Sequence, residues 1–161
     1  MNIVITDSTT FKLHRHSGGL KGGCQSKGKS KGGMSTKLHL AITTAGHIVE
    51  GFLTGGNRND IAVAEELTAD IVGCYVLQVR GCDSNKNRQS LESQNNIAVI
   101  PGRRNRKIEI VYDKEKYKLR GAIERFFGKI KENRRLAVRY KKDDLSFLSF
   151  IALAAIKLHL C

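Results

Sequence analysis

The chain has 161 residues, enough for one domain with a real core, and its 40% hydrophobic content argues against a disordered tail. A formal net charge of +13 favours a polyanionic partner such as nucleic acid. The charge is concentrated, with sixteen Lys and Arg against five Asp and Glu between Pro101 and Lys142.

In chain order, residues 2–7 ("NIVITD") read as a short buried strand ending in an acid. "HSGGLKGGCQSKGKSKGG" follows, a basic loop rich in Gly, Lys and Ser. Within it, "GCQSKGKS" (Gly23–Ser30) fits G-x-x-x-x-G-K-[ST], the phosphate-loop pattern. That mechanism needs a buried strand before the loop and a helix after it. Here the preceding stretch is polar and "KGG" breaks helices, so the match reads as chance. Residues 36–44 and 47–54 alternate apolar and polar around "AG", which predicts a β-hairpin.

Residues 59–72 carry apolar residues at helical spacing, with Asn59 or Asp60 as N-cap. A strand is predicted over 74–79, a polar helix over 84–95 and a strand over 97–100, closed by Pro101. From about Asp113 the chain reads as helical to its end, with a break near Lys142–Asp144. This alternation predicts an α/β fold, a mixed sheet with helices packed against it. The final run, "LSFLSFIALAAIKLHL", is interrupted by Lys157 and His159 and falls short of the roughly 20 residues a membrane span needs. It predicts a buried helix and no membrane partner.

The N-terminus lacks the basic and apolar regions of a signal peptide. Cys24, Cys74, Cys82 and Cys161 have neither zinc-knuckle nor redox-pair spacing, which fits a reducing cytoplasm. His14, His16 and His39 have no metal-ligand spacing tied to a fourth ligand.

The most informative segment is "YKLRGAIERFFGKIK", Tyr117 to Lys131. Tyr117, Arg120, Glu124 and Lys131 fall on one side of a helix, beside an apolar stripe of Ile123, Phe126, Phe127 and Ile130. On spacing alone, an amphipathic helix with ordinary salt bridges explains the pattern. However, Y-x2-R-x3-E-x6-K resembles the signature of DDE transposases of bacterial insertion sequences, in the insertion sequence 4/5 group. "ITDSTT", "KSKGGMSTKLH", "LTGGNRNDIAVAEEL", "VIPGRRNRK" and "LAVRYKK" match the same group in the same order.

The resemblance implies a ribonuclease H-like catalytic domain over residues 1–161, without the family's upstream DNA-end-recognition region. It implies metal-dependent strand cleavage and transfer, with two Mg2+ or Mn2+ ions held by two Asp and one Glu. Asp7 corresponds to the first acid and Glu124 to the third. Arg120 and Lys131 are expected to contact the DNA backbone or to orient Glu124. With Tyr117, the basic residues Arg103, Arg104, Arg106, Lys107, Arg134, Arg135 and Arg139 form the expected DNA-binding set. The expected partners are the element's terminal inverted repeats and target DNA, a second copy on DNA, and a separate upstream transposase fragment.

The pattern breaks at "YVLQVRGCDSN" (Tyr75–Asn85). The group's second acid belongs to a segment A-D-K-G-Y-D-S, and matching Gly81, Asp83 and Ser84 to it places Val79 where that acid should stand. A valine offers no lone pair to a metal. Asp83 could substitute only if the turn refolded, and an N-cap role at the next helix is its simplest reading. The expectation is therefore a DNA-binding transposase with impaired cleavage, or a non-catalytic DNA-binding remnant or partner of a split transposase.

Overall fold

The computed structural model describes residues 1–17 and 26–160. Among the described residues, seven strands pair into a mixed sheet: β1 (Asn2–Leu13), β2 (Gly28–Ser30), β3 (Gly33–Thr43), β4 (Ile48–Gly55), β5 (Cys74–Leu77), β6 (Ile97–Val99) and β7 (Val138–Arg139). The pairing order is β2-β3-β1-β5-β6, with β4 on β3 and β7 on β1. The helices are α1 (Ala64–Leu67), α2 (Asn85–Ser93), α3 (Lys114–Lys118), α4 (Gly121–Glu132), α5 (Arg134–Ala137) and α6 (Asp144–Leu160). This is the mixed sheet with accompanying helices that the alternation of elements predicts.

The chain gathers into two compact units. The first comprises Met1–Asp7, Leu40–Gly51 and Asn59–Glu124. There β1 pairs in parallel with β5, Ile5 level with Leu77, and β5 pairs in parallel with β6. Parallel strands need crossovers, and α2 supplies the one between β5 and β6. Ser84 starts it, its Oγ accepting from the Asn87 amide at 3.1 Å, and Leu91 anchors it in the core. Val4, Ile5, Val76, Leu77, Val99 and Ile100 are buried, so these strands read as the apolar runs of a covered sheet. The β3–β4 turn places Gly46 at φ 87°, a conformation that favours glycine.

The second unit comprises Ser8–His39, Phe52–Arg58 and Arg125–Cys161, as far as these residues are described. Phe11 of β1 packs edge-on against Phe147 of α6, with ring centroids 5.2 Å apart. Phe126, Phe127 and Ile130 of α4 are buried, as the apolar stripe predicts. Arg139 is the largest fully buried side chain; it donates to Thr36 Oγ1 (2.8 Å), Asp144 (2.7 Å) and the Lys141 carbonyl (3.0 Å). Asp144 also accepts from the Ser26 hydroxyl and amide. Burial alone would raise its pKa, but these donors outweigh burial and lower it.

Several element boundaries differ from the expectation. The first strand continues to Leu13, so Asp7 lies mid-strand rather than at a strand end. The predicted helix 59–72 reduces to a 3-10 turn at Asp60–Ala62 and the single turn α1, and Asn59 makes no side-chain cap bond. Strand β5 stops at Leu77, and the chain turns through Arg80–Cys82. Of the phosphate-loop match, Gly23 to Gln25 lie outside the described residues. Gly28–Ser30 form strand β2, so no helix follows as that mechanism requires. Among the described residues, no helix is long and apolar enough to cross a membrane.

Candidate active site

Strand β1 carries Asp7 two residues beyond its last pairing with β5. The register sets Asn2 level with Cys74 and Ile5 level with Leu77. The pairing ends there, and two residues further on Val79 leads into the Arg80–Cys82 turn. Val79 is half-buried and brings no donor atom there.

Glu124 is 117 residues from Asp7, yet one guanidinium reaches both. Arg120 donates from Nη1 to Asp7 Oδ2 at 2.8 Å and from Nη2 to Glu124 Oε1. Arg120 and Glu124 are neighbours because they sit one helical turn apart. The Asp7 side chain is 16% exposed and that of Glu124 57%. The Arg120 guanidinium lies 5.8 Å from the Tyr117 ring centroid, and Tyr117 meets Tyr112 edge-on at 5.5 Å. Burial pushes the Tyr117 phenol up, so it remains a neutral face beneath the cation.

Asp83, the candidate substitute acid, is held elsewhere. Its carboxylate is fully buried and accepts from Arg106 Nε (2.6 Å), Arg106 Nη2 (2.8 Å), Arg88 Nε (2.8 Å) and the Arg103 amide (2.8 Å). Burial alone would raise its pKa; the bonds from Arg106, the Arg103 amide and Arg88 overcome that and hold it at about 2. A carboxylate with its oxygens given to two guanidiniums and an amide has none left for a metal. The substitute role is therefore corrected to a structural one, and the N-cap of α2 is Ser84 instead.

The residues present do not complete a two-metal site. Val79 cannot ligate, Asp83 is spent, and Asp7 and Glu124 share Arg120. Among the described residues, no three His, Cys, Asp or Glu side chains converge as a metal-holding group.

The expected DNA-binding set divides by exposure. Arg103, Arg104, Lys107, Arg134 and Arg135 are exposed, whereas Arg106 is spent largely on Asp83. Fully buried Arg139 cannot reach a ligand, so it is corrected from a DNA contact to a core residue. Lys131 donates to the Thr10 carbonyl at 3.0 Å and lies 5.0 Å from the Phe11 ring centroid, docking α4 onto β1. Among the histidines, His39 is buried with its Nε2 2.8 Å from Thr54 Oγ1, and His14 stacks on Tyr140 at 4.4 Å. Sequence reasoning missed Arg88, the second guanidinium on Asp83, and Tyr112. A basic residue in the first turn of the helix that follows an acid, five positions on, was the available signal for Arg88.

The model of the transposase DDE domain family matches residues 1–157. A Brucella ovis protein assigned as the transposase for insertion sequence element IS6501 is 31% identical over 126 residues, 75% of this chain and 95% of that protein. A solved piggyBac transposase, from a synaptic complex with hairpin DNA, is similar over 66% of this chain and 24% of its own, at 14% identity and a TM-score of 0.44. With nearly its whole length matched by the family model, the chain belongs to the transposase DDE domain family.

Proposed function

We propose that this chain is an insertion-sequence transposase of the 4/5 group that binds DNA but cleaves it weakly, because Val79 leaves its catalytic centre one acid short. The observation that carries this reading is the convergence of Asp7 and Glu124 on Arg120, with Val79 two residues past the end of strand β5. Both acids bond to one guanidinium, which supports reading them as the family's first and third acids. The position that could add a third carboxylate is apolar.

Mg2+ or Mn2+ is the cofactor class of the family, and it would supply water activation and leaving-group stabilisation. This chain's own residues do less. Asp7 and Glu124 each form an ion pair with Arg120, and the exposed arginines and lysines of 101–135 offer charge to a phosphate backbone. The partners that fit are the terminal inverted repeats of the encoding element and its target DNA.

The test is a cleavage assay in Mg2+ or Mn2+ on duplexes carrying those repeats. The chain is expected to nick slowly or not at all, and Val79→Asp to raise the rate at least tenfold. Robust nicking by the unaltered chain that survives Asp7→Ala would overturn the reading.

A further inference from the structure

Beyond β6 the chain folds into a cavity of about 450 Å³ within the first unit. Arg80, Arg104, Lys107 and Lys114 line it, with Glu109 as its acid and Tyr112 at its edge. All four of these cations are exposed, and no side-chain hydrogen bond or ion pair holds them among the described residues. Four like charges lining one cavity with a single acid among them make an electropositive surface. Such crowding is tolerated where an anion relieves it.

The cavity is also built rather than draped. Gly102 is the close approach that closes its loop, since a Cβ there would meet Ile110 Cβ at 3.2 Å. Buried Asp83 fastens the same loop through the Arg103 amide and Arg106, and Arg103 Nη2 donates to the Gly81 carbonyl at 2.6 Å. Two basic residues are thus consumed in holding the loop while their neighbours stand free. Tyr112 links the cavity, through Tyr117 and Arg120, to Asp7 and Glu124.

We infer that this cavity is a preorganised phosphate-holding site, which grips the backbone of a DNA strand beside the two-acid cluster. The inference rests on the DNA-binding reading above and adds to it a location and a division of labour. Arg80, Arg104, Lys107 and Lys114 hold phosphate oxygens. Asp83 is a positioning residue that acts through Arg103 and Arg106.

Fluorescence anisotropy of the full chain with a labelled 30-base-pair duplex, across a salt series, tests this. Arg104→Ala, Lys107→Ala and Lys114→Ala combined are expected to weaken binding at least tenfold at 0.1 M salt. They should also flatten the log–log salt slope by about 2–3, near 0.9 per lost phosphate contact. The charge-matched control Lys12→Ala, Lys29→Ala, Lys31→Ala, all exposed and outside the cavity, should flatten it by less than about one. Glu109→Gln, which removes the acid without removing a cation, should tighten binding about twofold to threefold.

Equal losses in the two triple variants would overturn the site while leaving DNA binding intact. No salt-dependent DNA binding by the unaltered chain would remove the DNA-binding reading itself, and the site with it. Calorimetric titration with a nucleoside triphosphate separates a strand from a free nucleotide. Binding of the triphosphate without binding of the duplex would also overturn the inference.

Discussion

Asp7 and Asp83 both face arginine in the first unit, and their surroundings differ in water and in stoichiometry. Asp83 is sealed, one carboxylate against two guanidiniums and an amide, with its pKa held at about 2. Asp7 shares a single guanidinium with a second carboxylate, and that partner, Glu124, is more than half exposed. At Asp83 the cations outnumber the acid and the charge is locked into the loop. At Asp7 one guanidinium serves two carboxylates, the second of them facing solvent. Availability for chemistry thus follows from solvent access and charge balance, and residue type alone does not decide it.

The largest break in this comparison is Asp83→Ala. It leaves Arg88 and Arg106 facing an empty buried site and is expected to cost about 3 kcal/mol in denaturant unfolding. Acid titration probes the same locked charge. Because the folded pKa is depressed, its contribution is present above the unfolded value near 4 and is lost as pH falls through about 2. Unfolding followed between pH 5 and 2 should show that loss, about 2 kcal/mol, and Asp83→Asn should abolish it.

Arg120→Ala comes next, at about 1–2 kcal/mol, since it removes a cation shared by two acids and its stacking on Tyr117. Arg120→Lys should recover only part of this, because an ammonium cannot span both carboxylates as a planar fork does. Glu124→Gln should change stability by no more than about 0.5 kcal/mol, the exposed end of the pair being well screened. A loss as large as that of Asp83→Ala would erase the contrast between the two centres.

Local features were legible in the sequence. The β3–β4 hairpin, α2, the apolar stripe of α4 and the break before α6 all follow from patterning over a few residues. Arg120 beside Glu124 follows from helical spacing, whereas bringing Asp7 to them needed the family resemblance. What stayed hidden depends on long-range packing. Arg106 reaches Asp83 from 23 residues away, and Arg139 is buried by Thr36 and Asp144, although both arginines belong to a segment that reads as uniformly basic. The helix expected over 59–72 shrank because Asn59 makes no side-chain cap bond and the chain turns again at Thr68.

The central claim is that position 79 decides whether the two-acid cluster can hold a divalent cation. Mn2+ binding followed by electron paramagnetic resonance, for the unaltered chain and for Val79→Asp, tests it without relying on turnover. Val79→Asp is expected to bind Mn2+ at least tenfold more tightly, a gain that disappears when Asp7→Asn is added. Equal affinity in the two proteins, or a gain that persists without Asp7, would contradict it.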